Sequence, residues 1–350
     1  MNDIEQITRE LEKLYEGKLR QLRRKDNGPR LKISRLISDL SRGSAYGEDS
    51  EAVQEYARQA GINHDPQRPY IPFSEFRDLS KGVASAGGYL AGSETPDAVD
   101  ILRPFSVTAR AGITIETGLQ GDQVIPRTTT KTTPAWLSTE GSQVTASTPT
   151  LQQIACTPKT VAVLVNFSRQ LSKQANAENF IRRELLRTIG AAIDSAVISG
   201  GGIEQPTGLL NTSGINTETG TSFAQANAIS MKRKISDSNA SDDDIAFIST
   251  PATRELLEKR ERSTGSGYIW DNDKIASRPG YVTTDMPAST MICGAWPSIW
   301  LGIWGSGFII EVNPYDSTGF KSGTIQARIL ISIDVAVLHP AAFCKAESIT

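Results

Sequence analysis

The side chains able to do chemistry in this chain are few and widely spaced. Histidine occurs only at His64 and His339, and cysteine only at Cys156, Cys293 and Cys344. A Ser/His/Asp or Cys/His relay needs a histidine within hydrogen-bond reach of its nucleophile. His64 lies in a Gly-, Ser-, Asp- and Pro-rich stretch and His339 sits against Pro340 beside a core segment, so hydrolysis of that kind is disfavoured. The cysteines form no Cys-x-x-Cys, and an odd number far apart fits small buried thiols better than a disulfide framework or a zinc site. Asp242-Asp243-Asp244 offers carboxylate oxygens suited to Ca²⁺ or Mg²⁺, yet adjacent acids before a strand read first as a solvated loop. Asp194, at the edge of a helical apolar stripe, reads as a solvated helix position. Trp296, Trp300 and Trp304 recur every four residues, a spacing that suggests a stacking platform for bases. Pro297, Gly302 and Gly305 deny them a helix, which favours core or interface packing. Gly265-Ser266-Gly267 and Gly305-Ser306-Gly307 lack the third glycine and the following helix of a phosphate cradle, and read as turns. Gly-x-Ser-x-Gly, His-Glu-x-x-His and the Walker loop do not occur. No catalytic, cofactor-binding or metal-ligating residue is predicted.

What must be explained is therefore a scaffold. The 350 residues suffice for one large or two ordinary domains at about 100–200 residues each, and for a real core. No apolar run approaches the roughly 18–20 residues that span a bilayer. The net charge of −2 supplies no general field to attract nucleic acid or anionic lipid. Residues 1–16 mix acids and bases with no apolar leader, so a cleaved signal is not expected and synthesis in the cytoplasm is.

Ile4, Ile7, Leu11 and Leu14 fall at 3, 4, 3 spacing between charges, the seam of a short coiled coil. Asn27-Gly28-Pro29 interrupts it, and Ile33, Leu36, Ile37 and Leu40 predict a second helix over 31–40. Residues 43–88 have no continuous core pattern beyond a helical patch at 51–60, and are expected to be mobile or draped over a partner. Gln123-Val124-Ile125-Pro126 and residues 151–158 bracket a Thr-, Ser- and Gln-rich stretch, which reads as a long projecting two-stranded hairpin. Such a hairpin is not stable alone, so it is expected to lie on another copy of the chain. Val161, Val163, Val165 and Phe167 mark a half-buried strand. A helix follows, capped by Asn176 or Asn179, with Ile181, Leu185, Ile189, Ala192, Ile193 and Ala196 inside and Arg182, Arg183, Glu184 and Arg187 outside. Gly200-Gly201-Gly202 stops it. A strand at 245–249 runs into Thr250-Pro251, an N-cap with proline at the first helical position, and a helix through Leu256 and Leu257. Short strands are expected near 290–293, 300–304 and 308–312. Ile325, Ala327, Ile329, Ile331, Ile333, Val335 and Val337 alternate strictly, predicting a long strand paired with 161–167.

Several local motifs accompany this order: Ala86-Gly87-Gly88-Tyr89-Leu90, Ala135-Trp136-Leu137-Ser138-Thr139-Glu140-Gly141, Gln205-Pro206-Thr207-Gly208-Leu209-Leu210-Asn211, Ser249-Thr250-Pro251-Ala252-Thr253 and His339-Pro340-Ala341-Ala342-Phe343. In order and spacing, over residues 84–345, the chain resembles the major capsid protein family of tailed phages, with its Hong Kong 97-type α+β fold. The resemblance implies an N-terminal scaffold-like arm and linker at 1–83 and the start of the peripheral domain at 84–118. It makes 119–158 the extended loop, 159–214 the peripheral domain with a spine helix at 175–199, 215–309 the axial domain, and 310–350 the return to the peripheral domain. It implies an icosahedral head shell of hexamers and pentamers of this chain, assembled in the host cytoplasm and present in the virion. It further implies a portal protein and a prohead protease as partners, and double-stranded DNA enclosed without sequence-specific contact; no membrane is implied. A maturation cut is expected between residues 77 and 88. Deletion of residues 1–40 is expected to abolish ordered shells, through loss of the Ile4, Ile7, Leu11, Leu14 seam, while leaving the body folded. Some members join an extended-loop lysine to a neighbour's asparagine; Lys131 and Asn313 are of those types but lie in no matching motif, so no cross-link is assigned. The alternatives are an encapsulin-type shell, for which a removable arm has little use, and a two-domain α/β enzyme, which needs convergent titratable residues in a pocket.

Overall fold

The computed structural model describes residues 31 and 33–42, 49–75 apart from 64, 67 and 74, 102, 105–130, 150–168, 177–313 and 324–350. In chain order the described elements are α1 (Ile33–Ser41), α2 (Ser50–Gln59), β1 (Tyr70–Pro72), α3 (Val107–Ala111), β2 (Thr114–Leu119), β3 (Gln123–Thr130), β4 (Thr150–Cys156), β5 (Lys159–Ser168), α4 (Ala177–Ser199), β6 (Asn216–Thr219), α5 (Gln225–Ser236), β7 (Ile245–Ser249), α6 (Pro251–Lys259), β8 (Trp270–Asp271), β9 (Lys274–Ile275), β10 (Arg278–Val282), β11 (Met291–Ala295), β12 (Ile299–Asn313), β13 (Thr324–Val337) and β14 (Phe343–Glu347). The coiled-coil seam at Ile4–Leu14 and the motifs at 86–90 and 135–141 lie outside the described residues.

The strictest alternation in the sequence makes the centre of the first sheet. β13 pairs antiparallel with β5, Ile331 opposite Val161 and Ala327 opposite Val165, as the matched periodicities predict. Its other edge pairs with β12 in the order β1-β12-β13-β5, and β2 joins β12 in parallel. Here the expectation of two short strands at 300–304 and 308–312 separated by a turn is corrected. They are one strand, with a register shift between Trp304 and Ile309 where the extra residues of Gly305-Ser306-Gly307 form a bulge. Gly305 takes φ +80°, which a residue with a Cβ adopts only under strain. The bulge also divides the outer edge of β12, so that β2 pairs with Trp300–Trp304 and β1 with Gly307–Ile309.

For the described residues within 49–75, that second pairing overturns the expectation of a stretch that is mobile or draped over a partner. Val53, Ile71 and Phe73 are buried in the main core, and Phe73 meets Phe308 edge-on at 4.7 Å between ring centres. Polar composition hid this because three strand residues suffice to fill a vacant sheet edge. α1 forms where the 3, 4 spacing placed it, and Ile33, Leu36 and Ile37 are at most 1% exposed.

α4 packs in the same core with Leu185, Ile189 and Ile193 inside, as predicted. Arg182, expected outside, is buried, because residues 31–75 cover that turn of the helix. Asn179 lies inside the helix rather than at its cap, and Asn176 is outside the described residues.

The second sheet has the order β6-β14-β11-β7-β10-β9-β8 and carries its own core. Thr250 caps α6 as its sequence requires: the Thr253 N–H donates to Thr250 Oγ1 at 3.3 Å. α5 went unforeseen, although Ala228, Met231 and Ile235 stand at 3, 4 spacing and are fully buried. β3 and β4 form a separate two-stranded sheet, Gln123 opposite Cys156 through Thr128 opposite Leu151. Its base rests on this chain's own Trp300 and Ala336, while Val124 is 55% exposed.

Candidate functional site

Among the described residues the chemistry-bearing side chains are dispersed, and Asp194, the cysteines, Asp242 and the tryptophans are each engaged by their own surroundings. Asp194, expected in solvent, is 2% exposed on α4. Its Oδ1 accepts from Ser106 Oγ (2.7 Å), Thr108 Oγ1 (2.6 Å) and the Thr108 N–H (3.0 Å), and its Oδ2 accepts from the Val107 N–H (2.7 Å). The carboxylate thus closes the start of α3, where Ser106 Oγ also accepts the Ala109 N–H at 3.1 Å. Burial pushes the Asp194 carboxyl above its ordinary range, and the four hydrogen bonds pull back against it. An acceptor so occupied ties two segments together and has little capacity left for proton transfer. No local pattern announces it, because its partners stand 86–88 positions away.

The three cysteines are buried free thiols, as their spacing predicts. Burial raises Cys156 and Cys344 to about 11, and Cys293 well above its usual value. Iodoacetamide at neutral pH is accordingly expected to leave the native protein unmodified while denatured protein takes up one adduct at each of the three cysteines, read by intact mass. A native adduct would show that one thiol is open to solvent.

Asp242 accepts from Ser236 Oγ at 2.8 Å and pairs with Lys232 (3.3 Å) and Arg278 (3.4 Å), and Asp243 pairs with the same Arg278 (3.3 Å). The Ser236 hydroxyl first, and then these cations, hold the Asp242 carboxyl below its ordinary range. Among the described residues no group of three or more His, Cys, Asp or Glu side chains is arranged to hold a metal ion. His339 is exposed and His64 lies outside the described residues. Asn313 ends β12, and Lys131 lies outside the described residues.

The tryptophans serve packing. Trp296 donates its indole N–H to the Ala246 carbonyl at 2.9 Å and meets Phe343 edge-on. Trp300 donates to Glu116 at 2.8 Å, Trp304 to the Gly121 carbonyl at 2.6 Å, and their rings meet edge-on at 6.4 Å. These contacts seat β2 and the base of the β3–β4 hairpin on β12.

The motif at 205–211 closes the far end of α4. Asn211 Nδ2 donates to the Ser199 and Gly200 carbonyls at 3.1 and 2.9 Å, satisfying acceptors that a helix end leaves open. A Cβ on Gly208 would lie 2.3 Å from the Gly200 nitrogen, so glycine is required there. The loop so held presents Ile203, 89% exposed. With Leu164 on β5 at 60% and Val124 on the hairpin, it makes three apolar side chains offered to solvent by separate elements.

Among the described residues these contacts hold elements together rather than converge on one point. A family model described as the phage capsid family matches residues 87–348. Over 278 residues the chain is 26% identical to the major capsid protein of Halomonas phage phiHAP-1, a match covering 77% of this chain and 46% of that protein. The chain therefore spans about half the length of the curated relative it matches. Among solved structures it is similar to the capsid of a native GTA particle (TM-score 0.55, 16% identity, 77% of this chain and 98% of that chain). It is also similar to the structure from Gordonia phage Cozz (TM-score 0.51, 16% identity, 69% and 86%). Those likenesses concern the fold, which is the mixed helix-and-sheet Hong Kong 97-type fold of capsid proteins. Matched by the family model over well more than half of its length, the chain belongs to the phage capsid family.

Proposed function

We propose that this chain is a major capsid protein whose activity is self-assembly, in hexamers and pentamers, into the icosahedral head shell that encloses double-stranded DNA. The observation that carries the reading is the β3–β4 hairpin. It pairs with no third strand among the described residues and packs only at its base, whereas a two-stranded ribbon is marginal in water. Ordering such an element is offset when it lies across another copy. In this reading 119–158 is the extended loop, α4 the spine of a peripheral domain formed by 159–214 and 310–350, and 215–309 the axial domain at the capsomer centre. Portal protein and prohead protease are the partners, the DNA is held without sequence readout, and the shell forms in the host cytoplasm and persists in the virion. The net charge of −2 lets many copies pack without strong mutual repulsion.

Expressed alone, the chain is expected to form rings, shells or tubes visible by electron microscopy. A single sedimenting species at the monomer mass of 37.9 kDa at every concentration would overturn this reading.

A further inference from the structure

The family match begins at residue 87, yet the described part of residues 31–75 sends Leu31, Ile33, Leu36, Val53, Ile71 and Phe73 into the core of the body. Their seat is made for them. β1 completes the outer edge of β12 at Gly307–Ile309, and the Ile310 N–H donates to the Pro69 carbonyl at 3.1 Å. A Cβ on Gly307 would lie 2.1 Å from the Ile71 carbonyl oxygen, so the glycine, otherwise a weakness in a strand interior, is the residue that lets β1 approach. On the other flank Arg182 of α4 donates to the Leu31 carbonyl and to the Glu75 carbonyl, gripping both ends of the segment through its backbone. Tyr56 donates to Glu75 Oε1 at 2.5 Å and ties α2 to the second of those ends. Between these polar anchors Leu31, Ile33, Leu36 and Val53 are fully buried.

We propose that the flank of α4 and the outer edge of β12 form a binding site for the chain's own residues 31–75, which act as a clamp that stays on the body even when the connection at 76–101 is cut. A cut in the sequence after the clamp then need not release anything. This inference concerns the single folded chain and holds whether or not it assembles.

The test uses the full chain with a site-specific protease sequence inserted after Ala86. After cutting, fragment 1–86 is expected to co-elute with the body in equal amount on native size exclusion and to separate only in denaturant. Arg182→Ala removes two charged hydrogen bonds and is expected to speed release by about 10–100-fold. Arg182→Lys, with one compact ammonium in place of the fork, is expected to fall between them. Ile7→Ser, in the upstream seam, is expected to leave release unchanged and controls for general damage. Prompt loss of 1–86 from a body that stays folded overturns the clamp. So does transfer of the fragment, in a mixture of isotope-labelled and unlabelled cut chains, at the rate of simple mixing. Electron microscopy of the cut protein reads assembly separately, so loss of shells with a retained fragment counts against the assembly reading alone.

Discussion

Asp194→Ala is expected to lower the melting temperature by about 10 °C, one of the largest effects a single substitution in this protein should have. Four donors converge on that carboxylate: the Ser106 and Thr108 hydroxyls and the Val107 and Thr108 amides. Each buried donor left without an acceptor costs about 1–3 kcal/mol. The two hydroxyls can turn to other acceptors but the amides are fixed, so a net loss of about 3–5 kcal/mol follows. That is a large part of the roughly 5–15 kcal/mol by which a domain is stable. Asp194→Asn keeps the shape and one acceptor but turns an amide donor toward the backbone donors, and is expected to fall between wild type and alanine. The pH dependence separates this residue from the surface acids. Because burial raises its carboxyl above the ordinary value, the folded state binds the proton more readily than the unfolded chain. Its contribution therefore declines as pH rises from the ordinary carboxylate range through the folded-state pKa, and is constant above. Glu218, whose carboxyl is lowered, behaves oppositely: its contribution is present above the ordinary carboxylate value and is lost as pH falls through the folded one. Calorimetry of wild type and Asp194→Ala should show the gap between them widening on acidification through that window. A constant gap, or a melting temperature unchanged by the substitution, would show that Asp194 is not the buried acceptor described.

Truncation from the N-terminus should show a threshold at Leu31. Removing residues 1–30 takes none of the described buried core and is expected to move the melting temperature by no more than about 2 °C. Removing residues 1–41 also takes α1 and with it Leu31, Ile33, Leu36 and Ile37, all at most 1% exposed. At about 1.5–3 kcal/mol for each such side chain the gross burial lost is about 6–12 kcal/mol, an upper figure that the entropy of ordering the segment reduces. The longer truncation is expected to melt at least 10 °C lower or to aggregate. Circular dichroism melts of the two truncations decide the matter, and equal melting temperatures would mean that α1 adds nothing to the core. The burial of Leu31, Ile33, Leu36 and Ile37 in the main core stands against the sequence-based expectation that deleting residues 1–40 leaves the body folded.

Legibility in the sequence followed the range of the forces involved. β5 and β13 were readable because alternation reports directly that one face of a strand is buried, and two long matching alternations have few other ways to satisfy each other. The inner face of α4 and the cap at Thr250 were readable because 3.6-residue periodicity and a hydroxyl three residues from its amide are local facts. The family resemblance rested on the same local signals taken in order, with no catalytic motif in the sequence to carry it.

Other residues show where that reading stops. Arg182 and Arg183 are neighbours of one chemical type on one helix, yet Arg182 is buried between two carbonyls while Arg183 is exposed. Helical phase puts Arg182 one turn before the buried Leu185 and Leu186 and Arg183 one turn before the exposed Arg187. The carbonyls of Leu31 and Glu75 that receive the Arg182 guanidinium, however, are brought there by the fold. Asp194 became a buried acceptor because the start of α3 arrived with open donors, 86–88 positions earlier in the chain. β12 is one strand rather than two because β1 and β2 share its edge on either side of a bulge. Residue spacing alone was enough to place the apolar faces of α1, α4, β5 and β13 and the start of α6. Which polar groups are buried, as at Asp194 and Arg182, and which segments fill the edge of β12 emerged from long-range packing. Hydrophobic periodicity specifies that a surface must be covered, while the identity of the cover depends on hydrogen bonds and packing between residues far apart in the chain.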